Sequence, residues 1–149
     1  MSDLLLDAML GRLATYLRMC GYDTAYALDV GIETDGEILA YSQRTDRRLL
    51  TRDRELAARA ADAVLLHSRE IDDQLQELAA AGFDLTPSAT PEYCGVCNGP
   101  LTAVPSDAQT PAYAPDPATE QLWRCEDCGQ FFWKGSHWED VATRLAGVD

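Results

Sequence analysis

Lysine is almost missing from this sequence, and so is any surplus of positive charge. Lys134 is the only lysine beside eleven arginines, and 25 acidic residues outnumber 12 basic ones, for a formal net charge of −13. Acids exceed bases by 7 in residues 1–90 and by 6 in residues 91–149, which excludes an acidic tail as the source. A uniformly acidic, lysine-poor chain suggests a halophilic cytoplasm, where the Debye length is only about 3 Å near 1 M salt. In such salt, acidity does not exclude a nucleic-acid partner.

Long apolar runs, phosphate-binding loops and clustered histidines are also absent. No stretch approaches the ~20 apolar residues of a membrane span, and "MSDLLLDAML" has no basic segment ahead of its apolar residues, as a signal peptide would. We therefore expect a cytoplasmic protein. No glycine-rich loop follows an apolar strand, which argues against a nucleotide-binding fold of that type. Two histidines give no basis for predicting a Ser/His triad.

The first part of the sequence alternates short apolar runs with helical patterns. Strands are predicted at "DLLLD", "TAYAL", "RRLLT" and "DAVLLH". Leucine and alanine at i, i+3, i+4, i+7 spacing over 10–17 predict a helix, and Thr34 with Glu37 forms a capping-box pattern for another. Strand–helix alternation predicts a small three-layer α/β domain with a mostly parallel sheet over residues 1–86. A proline-containing linker then leads to a second unit at 91–149.

Acidic residues stand where predicted strands end and helices begin. Asp7 follows "LLL", Asp53 follows "LLTR", and Asp35 and Glu37 open the helix that contains "ILAYSQR". Ligands of such sheets bind outside the carboxyl ends of the strands. Carboxylates that converge without a basic partner repel one another unless a cation such as Mg²⁺ or Mn²⁺ joins them. Such an ion can activate water and stabilise charge on a phosphodiester.

Each of these residues also has a structural interpretation. Asp7 and Asp53 would both be ordinary N-caps, and Glu37 would close the capping box with Thr34. Arg12 and Arg52 lie close in sequence to the two strand-end aspartates. They are either solvated surface charges or contacts for a phosphate backbone. The residues alone leave these alternatives open.

Two Cys-x-x-Cys pairs dominate the second part of the chain. Cys94 and Cys97 form the first, Cys125 and Cys128 the second, with 27 residues between them. Four thiolates at this spacing predict a closed, tetrahedral, structural Zn²⁺ site. The unit is too small to fold on apolar burial alone, so metal should supply much of its stability. Its tryptophans and phenylalanines either pack the ribbon or stack on bases of single-stranded RNA, and Ser136 with Glu139 resembles a capping box for a last helix.

Taken in order, "LLLDAMLGRLATYLRMCGYDT", "RRLLTRD" and "CGVC…CEDCGQFFWKGSHW" make nearly the whole chain resemble the Mut-seven C-terminal ribonuclease family. The resemblance implies a PIN-like ribonuclease domain with a C-terminal zinc ribbon. It implies a catalytic Mg²⁺ or Mn²⁺ site formed by Asp7, Asp35 and Asp53, with Asp72 or Asp73 as a loosely matched fourth acid. RNA is the implied partner, and a homodimer is compatible with the family. On this interpretation Asp7 is a metal ligand that also caps the first helix.

Two functions therefore follow as hypotheses from the sequence. The first is a metal-dependent ribonuclease with Arg12 and Arg52 on the substrate and a structural zinc ribbon that assists RNA binding. The second is a non-catalytic RNA- or protein-binding module with structural zinc, in which the acids cap helices. Only the first requires a divalent ion besides zinc.

Overall fold

A parallel four-stranded sheet organises the N-terminal part of the protein. The computed structural model describes residues 3–148. The sheet has the order β2-β1-β3-β4 and every pair in it is parallel. Its strands are β1 (Leu4–Leu6), β2 (Thr24–Tyr26), β3 (Arg48–Thr51) and β4 (Ala63–Leu65), and the helices between and after them are α1 (Gly11–Met19), α2 (Asp35–Arg44), α3 (Arg54–Arg59) and α4 (Ile71–Ala80). All four strands predicted from short apolar runs are confirmed.

Helices cover both faces of the sheet, so the predicted three-layer arrangement is also confirmed. Leu4 and Leu6 point into one core with α1 and α4, while Leu5 and Leu49 point into the opposite core with α2 and α3. This division follows the two-residue period of a strand, since successive side chains face opposite sides. All three leucines of β1 are fully buried, as expected for a strand covered on both faces.

The C-terminal part is a small antiparallel ribbon followed by one helix. Its elements are β5 (Leu101–Ala103), β6 (Trp123–Cys125), β7 (Phe131–Phe132) and α5 (Ser136–Ala146). Val141 and Leu145 of α5 belong to the same core as Leu4 and Leu6. The last helix therefore packs into the core that α1 and α4 form on one face of the sheet. None of the helices in residues 3–148 is long and apolar enough to cross a membrane.

Two of the predicted helix caps have different outcomes. The Thr34–Glu37 capping box is confirmed, since the Thr34 Oγ1 accepts the Glu37 N–H and the Glu37 carboxylate accepts the Thr34 N–H. The Ser136–Glu139 box is wrong. Gly135 is the N-cap of α5, and no side chain caps that end. The helix begins one residue earlier than the pattern predicted, so Ser136 is already inside the first turn.

Candidate functional site

The sheet reverses its winding direction between β1 and β3. From β1 the chain crosses to β2 on one side and then returns past β1 to β3 on the other. In open α/β sheets such a reversal opens a crevice at the carboxyl ends of the two strands, which is where ligands bind. Asp7 follows β1 directly, and Thr51 and Asp53 lie at the end of β3 and just beyond it. These three residues form what we call the switch-point site.

Asp7 is a nearly buried carboxylate held by two hydrogen bonds. Its side chain is 9% exposed. Its Oδ1 accepts the N–H of Ala8 at 2.7 Å, and its Oδ2 accepts the hydroxyl of Thr51 at 2.7 Å. The sequence-based expectation that Asp7 also caps α1 is wrong, because the N-cap is Leu10 and makes no side-chain cap. A buried acid that caps nothing is costly unless its charge is used or neutralised.

Asp53 is joined to Asp7 through Thr51. The Thr51 hydroxyl donates to Asp7 and accepts the backbone N–H of Asp53 at 3.0 Å. Asp53 is also the N-cap of α3, since its Oδ1 accepts the N–H groups of Glu55 and Leu56. Its capping role, predicted as the structural alternative, is thus confirmed. The Oδ2 atom takes no part in the cap and is available to a ligand.

Sequence reasoning missed Thr51 and Tyr26 as members of this region. Tyr26 is the last residue of β2 and Thr51 the last residue of β3, and both strands pair with β1. The two residues lie within the predicted strands "TAYAL" and "RRLLT". The Tyr26 hydroxyl donates to the carbonyl of Ala8, and its ring lies 3.0 Å from where a Cβ on Gly11 would stand. Burial, followed by the negative charges of Asp29 and Asp7, raises the pKa of Tyr26. Both residues could have been identified because each is the last residue of a parallel strand.

Asp35 has a different partner from the other two aspartates. It opens α2, is exposed, and its Oδ2 lies 3.9 Å from Nη1 of Arg59. Within residues 3–148, the three aspartates do not form a group whose carboxylate oxygens all lie within 4.8 Å of one another. The structure therefore links the Asp7 carboxylate to the Asp53 backbone through Thr51 and places Asp35 in an ion pair with Arg59. Its role as a ligand stays a prediction.

The residues proposed around the acids are placed as follows. Arg52 carries a buried Nε that has no hydrogen-bond partner in the described part of the chain. Arg12 is the second residue of α1 and is exposed, and its guanidinium carbon lies 5.9 Å from the Tyr16 ring centroid. Asp72, a candidate fourth acid, is bound to Arg144 of α5 at 2.6 Å, whereas Asp73 is exposed in the first turn of α4.

The four paired cysteines form the second site. All four Sγ atoms lie within 4.8 Å of one another, and the separations are 3.7 Å for Cys94–Cys128 and 3.5 Å for Cys97–Cys125. Thiolates on a tetrahedral Zn²⁺ at about 2.3 Å would lie about 3.8 Å apart. The arrangement therefore fits a structural metal site of the zinc type, as the spacing predicted.

Backbone N–H groups in both cysteine loops act to lower the pKa of a thiol, but in the first loop burial outweighs them and raises the pKa values of Cys94 and Cys97. The N–H of Val96 points at the Cys94 sulfur and that of Cys128 at the Cys125 sulfur. Burial raises the pKa of Cys125, but N–H donors and the neighbouring thiols outweigh it and lower the pKa to about 7. A Cβ on Gly99 would lie 2.7 Å from the Cys125 sulfur. Glycine is thus required there for the two loops to close on a metal.

The first cysteine loop is fastened to the α/β domain by side chains. Arg18 and Thr15 of α1 both donate to the carbonyl of Gly95. Asn98, in a left-handed conformation with φ 72°, donates to Asp23 and accepts the N–H of Thr24 on the edge strand β2. These contacts make the first cysteine loop a cover for one edge of the sheet.

Comparison with known proteins supports the sequence resemblance. The family model described as the Mut7-C RNAse domain matches residues 2–145, which is nearly the full chain. A search of curated proteins gave no match, and neither did a search of solved structures. The family description indicates ribonuclease activity. With a family match of this extent, the chain belongs to the Mut7-C RNAse domain family.

Proposed function

We propose that this protein is a metal-dependent ribonuclease that hydrolyses RNA phosphodiester bonds at the switch-point site. The observation that carries the proposal is the pair Asp7 and Asp53, joined through Thr51 at the crevice between β1 and β3. That crevice is where an α/β sheet binds its ligand. Membership of a family described as an RNAse domain supplies the substrate class.

The donor set at this site suits a hard divalent cation. Asp7 and the unused Oδ2 of Asp53 are the residues that would hold Mg²⁺ or Mn²⁺, which prefer carboxylate oxygens. Such an ion, when bound, would lower the pKa of a coordinated water and stabilise charge on the phosphate. Thr51 fixes the Asp7 carboxylate by its hydroxyl, as partners of metal ligands commonly do. Asp35 would join these ligands only after leaving Arg59.

Two arginines are the proposed contacts for the RNA backbone. Arg52 lies between Thr51 and Asp53, directly after the end of β3, and is half-buried. Arg12 lies five residues after Asp7, near the start of α1, and is exposed. Contacts of this kind position a nucleic acid without reading its sequence. The zinc ribbon is the further RNA-binding element of this proposal.

RNA cleavage with and without added Mn²⁺ tests the proposed function. Asp53→Asn is the informative variant, because asparagine still caps α3 while the ligating charge is removed. Asp62→Asn is a matched control, since Asp62 is exposed and pairs with Arg48 at the opposite, amino-terminal end of the strands. We expect Mn²⁺-dependent cleavage by the wild type and by Asp62→Asn, and its loss in folded Asp53→Asn.

A non-catalytic binding module is the second candidate. It is favoured by Asp53 and Glu37, which both serve as helix caps, and by the separation of Asp35 from the other acids. In that case the wild type, Asp62→Asn and Asp53→Asn would all fail to cleave RNA. Added Mn²⁺ would not induce cleavage by a chain that still holds its structural metal.

Three other expectations from the sequence stay predictions. Homodimer formation would be measured by sedimentation of the zinc-loaded protein. A cytoplasmic location and adaptation to high salt rest on composition alone. Unfolding measured across KCl concentrations would test the latter, since a chain of charge −13 gains stability as salt screens its self-repulsion.

A further inference from the structure

An aromatic cavity lies between α1 and the zinc ribbon. Its volume is about 290 Å³, and five of its fifteen lining residues are Phe, Tyr or Trp, against 12 of 149 in the chain. Met19 and Arg18 of α1 form one side, and Tyr93, Phe132, Trp133 and Trp138 of the C-terminal part are among those opposite. This volume is close to the lower end of the range for small-molecule sites. It is separate from the switch-point residues, none of which line it.

The cavity has none of the acidic residues that are frequent elsewhere in the protein. Acidic residues make up 25 of 149 positions, yet none of the fifteen lining residues is acidic. The four other clefts described on residues 3–148 each contain at least one carboxylate. Three ionisable residues line it: Tyr93, the exposed His137, and Arg18, which is buried and donates to the carbonyls of Thr24 and Gly95. A cavity without acids in so acidic a chain presents no carboxylate that would repel an anionic strand.

The rings in the cavity are held in position from outside it. Tyr113, which does not line the cavity, stacks on Trp133 with ring centroids 6.2 Å apart. A Cβ on Gly135 would lie 2.6 Å from Nε1 of Trp133, so only glycine lets the chain pass beside the indole in this position. Lys134 is exposed beside Trp138, with its Nζ 5.3 Å from that ring centroid, and it donates to the carbonyl of Ala89. Aromatic faces beside cations are the elements of a stacking platform for unpaired bases.

We propose that this cavity receives one unpaired base of an RNA strand, by stacking on Trp133 and Trp138, while Lys134 contacts the adjoining phosphate. The inference rests on the proposed ribonuclease function for its substrate class and gives that substrate a single-stranded segment, held at a site separate from the cleavage site. Stacking is tolerant of base identity because every base has an aromatic face. The cavity therefore selects unpaired over paired RNA and does not select a sequence.

Fluorescence anisotropy of short labelled RNA strands tests the proposal without catalysis. The zinc-loaded protein is titrated with an oligoadenylate and with a ribose-phosphate strand of equal length that has no bases, without Mg²⁺ or Mn²⁺. Titrations at about 0.15 M and about 1 M KCl separate phosphate contacts from stacking. We expect the oligoadenylate to bind about tenfold or more tightly than the abasic strand, with the ratio preserved at high salt.

Two variants localise the effect. Trp133→Leu should weaken oligoadenylate binding about tenfold and leave abasic binding unchanged. Lys134→Gln should weaken both strands at low salt, whereas Arg44→Gln, the same charge change on α2, should weaken neither. Equal binding of the two strands by the wild type would overturn the proposal, and so would no binding at all. The comparison of the two strands uses the wild type alone, so it does not depend on whether a variant folds. It is also independent of cleavage, so a protein that binds as predicted but does not cleave would refute only the ribonuclease proposal.

Discussion

At the scale of single residues, the Thr51 hydroxyl is the contact on which the switch-point site depends. We expect Thr51→Val to reduce the free energy of unfolding by about 1–3 kcal/mol, because it leaves a nearly buried carboxylate oxygen without its donor. Cleavage should fall by at least about tenfold, as when a partner of a metal ligand is lost. Denaturant unfolding and cleavage assays measure both effects.

The matched control for that change is Thr51→Ser, which keeps the hydroxyl and should retain most of the activity. Equal activity of Thr51→Val and Thr51→Ser would contradict a role for the hydroxyl in orienting Asp7.

Gly99 is a second residue with a measurable role. A Cβ at this position would lie 2.7 Å from the Cys125 sulfur and 2.8 Å from a carboxylate oxygen of Asp127. We expect Gly99→Ala to displace that sulfur and to weaken zinc binding by about tenfold or more, the scale of a disturbed ligand shell. Competition with a chromophoric chelator measures the affinity. Gly36→Ala is the control, since its Cβ would meet open space; equal affinities in the two variants would refute this role.

Residue chemistry at the ends of strands was only partly predictable from the sequence. Asp7 and Asp53 were identified because each carboxylate follows an apolar run. Thr51 lies two residues before Asp53, but the sequence around it does not reveal its role. Its partner Asp7 is 44 residues away and comes within reach only when β3 pairs with β1. The ion pair of Asp35 with Arg59 depends likewise on how α2 packs beside α3, which no local pattern encodes.

At the scale of elements, α5 packs into the core of the α/β part although the ribbon precedes it in the chain. Leu145 is buried in the core that contains α1 and α4. We expect Leu145→Ala to reduce the free energy of unfolding by about 2–4 kcal/mol, the cost of a cavity in a packed core. Thr143→Ala, on the exposed side of the same helix, should change it by no more than about 0.5 kcal/mol.

Thermal or denaturant unfolding of both variants decides this point. Unchanged stability in Leu145→Ala would show that α5 is not required by the sheet domain. The sequence predicted this helix but assigned it to the ribbon unit at 91–149. Its apolar positions show that one side must be buried, and they do not show against which surface.

At the scale of the whole molecule, the metal site and the sheet form one connected structure. The first cysteine loop covers the edge strand β2 through Asn98, which accepts the Thr24 N–H at 2.8 Å. Removal of zinc by a chelator should release this loop, because metal binding supplies much of the folding free energy of small ribbons. Hydrogen exchange at Thr24 should then accelerate, while exchange at Leu49 and Leu50 of the central strand β3 stays slow. Unchanged protection of Thr24 without zinc would contradict this coupling.

The most direct test of the whole account is a Mn²⁺ titration of the zinc-loaded protein, followed by electron paramagnetic resonance, with RNA cleavage measured in the same samples. Asp7→Asn is the variant to compare, because Asp7 caps no helix and its change removes a ligating charge. The account predicts that the wild type binds Mn²⁺ and cleaves RNA, and that Asp7→Asn loses about 10- to 100-fold or more in metal affinity together with cleavage. Mn²⁺ binding and cleavage that are the same in both proteins would contradict a metal-dependent site at Asp7.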